Sequence, residues 1–225
     1  MHQQLVKMFG IVCLGTFSSV PHQASLKDLQ ARLDAAFSDD EPIVLSQGTS
    51  FSSKPGTLIF LSEELGKKEM LKHVQGPELS MLFLPRWCAW ITETLVRSND
   101  QAKVDNRYLV SALASGIEAE RWHTHDDIGE NQKSAQWIVP SSADLLQVLG
   151  FKKLFPRSEF KGVIVSRYGT LSFERWPTVE RNESEVITEA YTLYLEASEI
   201  SPLQLQSLAH NHRGFALLRF EPFSK

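Results

Sequence analysis

Three features that would each point to a particular class of protein are scarce in this sequence. Its 225 residues include only two cysteines, Cys13 and Cys88, far apart and in unlike surroundings, which excludes a disulfide framework and a thiolate zinc site. Lys and Arg number 23 against 27 Asp and Glu, for a net charge of −4, and no basic cluster indicates nucleic-acid binding. No apolar run approaches a transmembrane helix in length. We therefore expect a cytoplasmic protein that binds neither nucleic acid nor membrane.

The composition that is present, 42% hydrophobic and 22% charged, is that of an ordinary globular protein. The apolar stretch at residues 8–17 has two interpretations. It could be the core of a signal peptide cleaved near Ala24, or a buried strand. We favour the strand because only Lys7 precedes the stretch and His22 occupies the −3 position.

The chain divides into two predicted parts. Residues 1–56 read as strand, helix and strand, a small α/β extension that could dock a partner subunit or pad the core. Residues 57–225 form the main domain, which alternates helices and strands without a repeat. Mixed helices and strands around one core predict an α+β fold.

Within the main domain, spacing and turn residues place the individual elements. A strand at residues 57–61 leads into a helix that begins at Ser62, and a strand follows the Gly76-Pro77 break. Extended or mixed patterns at residues 87–96 and 107–116 flank a polar turn at residues 97–106. A short helix should end at Gly150. A hairpin turning at Tyr168-Gly169, a longer helix at residues 184–197 and a closing strand at 214–223 complete the chain.

A His-x-His pair, His123 and His125, is the first chemically informative pattern. On a strand, alternate side chains face the same way, so both imidazoles could reach one metal ion. A catalytic zinc needs a third protein ligand, and Asp144, in the first turn of a predicted helix, is the candidate. Ser141 and Asp144 could equally be a helix cap that needs no metal.

Together, "WHTH" (122–125) and "PSSADL" (140–145) resemble the zinc signature of the JAB1/MPN/Mov34 (JAMM) metallopeptidase family. In that family a glutamate lies between a helix and an apolar strand upstream, and Glu78 stands in that context. The chain departs from the pattern at Asp126, where the family usually has proline. Its spacer of fifteen residues between His125 and Ser141 is also longer than usual.

The resemblance covers residues 57–225 and implies a JAMM/MPN-like fold there, a mixed sheet flanked by helices. It also implies a mechanism. His123, His125 and Asp144 would bind Zn²⁺, which lowers the pKa of a bound water toward about 7. Glu78 would act as general base, and Ser141 would hydrogen-bond the developing oxyanion. The bond hydrolysed would be an amide or isopeptide in a protein substrate, for example a ubiquitin-like conjugate. JAMM-like domains also serve as metal-free scaffold subunits, which is the non-enzymatic alternative.

A cupin is the second metal-binding alternative, because Gly116, His123, His125 and Glu130 approximate the first cupin motif. A cupin would gather Glu130 with the histidines and leave Asp144 remote. The second His-x-His pair, His210 and His212, lacks a nearby acid in sequence, and we interpret it as a polar turn. Three aromatic pieces, Trp87, Trp90 and the segment 191–194, are expected in the core.

Overall fold

A computed structural model describes the chain from residue 31 onward, with gaps. The described residues are 31–33, 35, 43–46, 48–51, 54–75, 78–93, 95–98, 101–125, 134–158, 160–175 and 180–223. The predicted strand or signal peptide before residue 31 lies outside them, and so does Glu130. The domain boundary at residue 56, the docking role of residues 1–56 and the cytoplasmic location stay predictions.

One mixed sheet of eight strands organises the described chain. Its strands are β1 (Val44–Leu45), β2 (Thr57–Phe60), β3 (Ser80–Leu84), β4 (Ala89–Thr92), β7 (Ala119–Thr124), β8 (Phe160–Ser166), β9 (Gly169–Arg175) and β10 (Ala216–Pro222). Across the sheet they lie in the order β1-β2-β4-β3-β7-β8-β9-β10. The β1–β2 and β7–β8 pairs are parallel and the other pairs antiparallel. A separate hairpin pairs β5 (Leu95–Ser98) with β6 (Gln101–Val104).

Helices cover this sheet, which confirms the predicted α+β class. They are α1 (Glu63–Leu71), α2 (Arg107–Ala114), α3 (Ser142–Leu154), α4 (Glu183–Ser198) and α5 (Leu205–Asn211), with 3-10 turns at Pro85–Trp87 and Pro202–Gln204. The central strand β3 is buried along its whole length. Apolar side chains of α3, α4 and α5 pack on β8, β9 and β10 in one hydrophobic cluster. The sheet is therefore the rigid base on which α3 is held.

Several local predictions are confirmed. Helix α1 begins after Ser62, whose side chain accepts a hydrogen bond from the backbone N–H of Leu65. The β8–β9 hairpin and the closing strand lie where the spacing places them. Trp87 and Trp90 are fully buried, and Trp90 stacks on Phe83 with ring centroids 4.3 Å apart.

The prediction for residues 97–116 is wrong. Most of the β5–β6 hairpin lies within the predicted polar turn, and the strand or mixed pattern predicted after it is helix α2. A short apolar run cannot be assigned to helix or strand by periodicity alone. Here Tyr108, Leu109, Ala112 and Leu113 form one buried helical face, so packing decided the conformation.

Two other predictions are also wrong. Helix α3 continues through Gly150 to Leu154. A single glycine costs a helix only about 1 kcal/mol, and the buried Phe151 beyond it packs into the core. Tyr191 and Tyr194 are 63% and 38% exposed rather than in the core, because α4 buries Val186, Ala190, Leu193 and Ala197.

Candidate metal centre

The two histidines of the candidate site stand at the end of β7. His123 lies in the strand and is 4% exposed, while His125 follows the last strand residue, Thr124. Strand alternation turns Arg121, His123 and His125 to the same side of the sheet. The predicted common face of the two imidazoles is thus present.

Asp144 completes a three-residue group from a different element, the first turn of α3. One ligand atom each from His123, His125 and Asp144 lies within 4.8 Å of the other two. The two Nε2 atoms are 3.1 Å apart, and Asp144 Oδ1 is 3.5 Å from His123 Nε2. Ligands on a tetrahedral zinc with bonds of about 2.0–2.1 Å stand roughly 3.3 Å apart. The group could therefore hold a metal ion.

His125 is oriented by a backbone contact on its far side. Its Nδ1 lies 2.6 Å from the carbonyl oxygen of Trp137, so Nδ1 carries the proton and donates it. Nε2 then presents its lone pair toward His123 and Asp144. An imidazole that donates its other nitrogen to a carbonyl is the usual arrangement of a metal-ligating histidine.

Asp144 is held by the N-cap of α3. Ser141 donates to Asp144 Oδ2 from its backbone N–H at 2.8 Å and from its hydroxyl at 2.7 Å. The Ser141 hydroxyl also accepts from the Asp144 backbone N–H, which makes a capping box. The cap thus fixes Oδ2, which is also 4.0 Å from His125 Nε2, while Oδ1 faces His123.

The charge states suit a metal site. Burial lowers the pKa of His123 to about 4, assisted by the charges of His125 and Arg121 and opposed by Asp144. Its imidazole is therefore neutral at neutral pH, the form that binds a metal. Burial acts to raise the pKa of Asp144, but the neighbouring imidazoles and the hydrogen bonds from Ser141 outweigh it and lower that pKa. Asp144 is thus an anion.

Glu78 lines the same cavity, of about 640 Å³, as the three candidate ligands. Strands β3 and β7 pair Ser80 with His123, and the Thr124 backbone N–H donates to the Leu79 carbonyl at 3.0 Å. Continuing this antiparallel register by one more step sets Glu78 opposite His125. Glu78, Ser141 and the three candidate ligands are all at this cavity.

Sequence reasoning missed an ion pair at the back of the cavity. Arg121 and Glu93 are both buried and form two hydrogen bonds, and Arg121 also lines the cavity. A signal for it was present in the sequence. Each residue is a charge beside an apolar strand segment, where an unpaired charge would be costly.

One expectation of the cupin alternative, a remote Asp144, is contradicted, because Asp144 is beside both histidines. The position of Glu130 lies outside the described residues. The second His-x-His pair has a different kind of acidic partner. His212 Nε2 lies 2.9 Å from Glu189 Oε1, a long-range acidic partner 23 residues away in sequence. Among the described residues, the His123, His125 and Asp144 group is the only one with the spacing of metal ligands.

Comparisons of the chain with protein-family models, with curated proteins and with solved structures found no match. Within the described part of the chain, none of the helices combines the length and the apolar character that crossing a bilayer requires.

Proposed function

We propose that this chain is a zinc-dependent peptidase of the JAMM type that hydrolyses an amide or isopeptide bond in a protein substrate. The observation that carries the proposal is the convergence of His123, His125 and Asp144, from a strand end and a helix start nineteen residues later, to within 4.8 Å. Such convergence is what a split metal site requires, and a simple helix cap does not need the histidines.

The order of elements supports the family resemblance. Helix α1 leads through Glu78 into β3, β7 carries the histidines, α3 carries Ser141 and Asp144 at its start, and the β8–β9 hairpin follows. This is the order that the resemblance implies. The long spacer between His125 and Ser141 does not separate the two halves of the site, since extra loop length costs little closure free energy.

Each site residue would have its own role in hydrolysis of the amide bond. Zinc, when bound, supplies Lewis acidity toward the carbonyl and acidifies water. Glu78 takes the proton from the attacking water and passes it to the leaving amine nitrogen. The Ser141 hydroxyl now donates to Asp144, so it must turn away from that carboxylate before it can stabilise an oxyanion. The Ser141 backbone N–H would keep Asp144 in place during that rotation.

The cavity supports a peptide substrate over a very small molecule. Besides the candidate ligands, its lining includes the apolar residues Val104, Leu146, Phe151 and Leu154, the last three from α3. Apolar side chains beside a polar centre can contact a peptide on one side of the reacting bond. A ubiquitin-like substrate rests on the family resemblance alone.

The decisive experiment is zinc content by elemental analysis of the purified full chain, wild type beside His123→Ala and Asp144→Ala. We expect about one zinc per chain in the wild type and loss of zinc in both variants. Glu78→Gln is the matched control, because it should keep the zinc while losing cleavage of an isopeptide-linked ubiquitin dimer or of unfolded peptides.

The alternatives give different results. A wild-type protein that takes up no zinc under any loading condition would contradict the proposal and favour the scaffold. Zinc retained in Asp144→Ala but lost in His123→Ala would show that Asp144 is only a cap. Zinc bound as expected, with no hydrolysis of any peptide, would restrict the site to metal binding.

A further inference from the structure

A buried ion pair between Glu93 and Arg121 lies directly behind the candidate metal centre. The Arg121 side chain is 3% exposed and that of Glu93 0%. Arg121 Nε donates to Glu93 Oε2 at 2.8 Å, and the second bond, from Nη2 to Oε1, is 2.6 Å. Such a two-point contact fixes the plane of the guanidinium as well as its position.

The pair is bonded to each of the segments that carry the site. On β3, Ser80 Oγ donates to Glu93 Oε2 at 2.8 Å, two residues after Glu78. On β7, Arg121 is two residues before His123 and faces the same side. On α3, Gln147 Oε1 accepts from Arg121 Nη1 at 2.7 Å, less than one helical turn after Asp144.

We infer that Glu93 and Arg121 are positioning residues for the metal centre, with Gln147 as the link that sets α3, and so Asp144, against β7. The inference rests on the proposed metal site. The sheet register pairs Ser80, two residues after Glu78, with His123. Asp144 comes from helix α3, whose apolar side chains pack on β8 and β9. The Arg121–Gln147 hydrogen bond joins this helix to β7 beside the candidate ligands.

Charge gives the pair a second effect. A guanidinium two residues from His123 would repel a divalent cation, so an uncompensated Arg121 would weaken metal binding. Glu93 accepts from it at two points and neutralises that charge. The pair therefore supplies directed hydrogen bonds beside the metal without a net positive charge.

The link can be tested by zinc affinity, measured by competition with a chromogenic chelator, in full-length Gln147→Met. Methionine keeps the length and helix propensity of glutamine but cannot accept from Arg121. We expect affinity to fall about 10- to 100-fold, the usual effect of losing a residue that orients a ligand. The visible spectrum of the Co²⁺-substituted protein should change as well, because Asp144 is displaced.

Asn106 provides the matched control. Its Oδ1 accepts from the same Arg121 nitrogen at 2.8 Å, but it precedes α2, carries no ligand and makes no side-chain cap bond. Asn106→Ala should keep zinc affinity within about twofold while losing one bond of comparable strength. Gln147→Glu, which restores an acceptor, should return affinity to the wild-type value.

Each outcome decides between the hypotheses. Wild-type zinc affinity and an unchanged Co²⁺ spectrum in Gln147→Met would show that the pair only stabilises the fold. Equal losses in Gln147→Met and Asn106→Ala would also overturn the inference, since any weakening of Arg121 would then suffice. If Gln147→Met does not fold, Gln147→Glu with weakened zinc binding would contradict it. A wild type without zinc would instead refute the proposed function itself.

Discussion

The two His-x-His pairs of this chain look alike in sequence and behave differently in the fold. His123 and His125 point their Nε2 atoms at one another, 3.1 Å apart, with Asp144 Oδ1 beside them. His210 and His212 do not converge. His210 is exposed on α5, and His212 turns inward to Glu189.

The acids differ more than the histidines. Glu189 accepts from the backbone N–H groups of Phe215 at 2.5 Å and Ala216 at 3.0 Å, as well as contacting His212. Gly214 is needed there, because a Cβ at that position would collide with the Glu189 carboxylate. Both Glu189 oxygens are thus engaged in tying α4 to β10, whereas Asp144 keeps Oδ1 beside His123. A His-x-His pair is therefore a candidate metal centre in this fold where one carboxylate approaches both rings, as that of Asp144 does at 3.5 and 4.0 Å.

Removing one histidine from each pair should affect zinc binding very differently. His125→Ala should lower zinc affinity by more than about 100-fold, since a direct ligand matters more than an orienting residue. His212→Ala should leave zinc stoichiometry and affinity unchanged. Chelator competition on both variants measures this, and equal loss of zinc in the two would mean that the metal is bound elsewhere.

A second prediction concerns stability at the other pair. Glu189→Gln should lower the free energy of unfolding by about 2–3 kcal/mol at pH 7, because the amide turns a donor toward a backbone N–H and loses charge-assisted bonds. Urea denaturation measures it. The exposed Glu196 on the same helix is the control, and Glu196→Gln should change stability by less than about 0.5 kcal/mol.

The pH dependence of that stability follows from Glu189. Burial acts to raise its pKa, but the bond with His212 and those from Ala216 and Phe215 hold the pKa below the ordinary value of 4.5. A lowered folded-state pKa contributes stability above pH 4.5 that is lost as pH falls through the folded value. Wild type should therefore lose its advantage over Glu189→Gln in acid, and a gap that persists well below that pKa would contradict this account.

Two of the helix capping boxes should differ in their effect on zinc binding. Ser141 caps α3 beside the candidate metal centre, and Asn182 caps α4 in the same way through Glu185. Ser141→Ala and Asn182→Ala should each cost about 1 kcal/mol of stability. Only Ser141→Ala should also weaken zinc binding, by roughly tenfold, because its hydroxyl helps to orient Asp144. Equal zinc affinity in both variants would make Ser141 a cap alone.

Turn residues and apolar spacing predicted much of the fold. The start of α1, the β8–β9 hairpin and β10 lie where turn residues and apolar spacing place them. The site could be anticipated because its residues sit at element ends: histidines at the end of β7 and Asp144 in the first turn of α3. The secondary-structure prediction was wrong at α2, where the apolar pattern fits a helix or a strand. It was also wrong at the end of α3, where packing of residues beyond Gly150 extends the helix.

Local sequence was enough to indicate the alternation that turns His123 and His125 to one side and the helix cap that holds Asp144. Each of these features depends on neighbours only a few residues away. Three contacts depend on the tertiary structure: Asp144 of α3 lies beside the histidines of β7, Arg121 meets Glu93 and Gln147, and Glu189 meets His212. The contacts of Arg121 and Glu189 join residues 23 to 28 positions apart. Distances of that kind are set by how helices and strands pack, which local spacing does not encode.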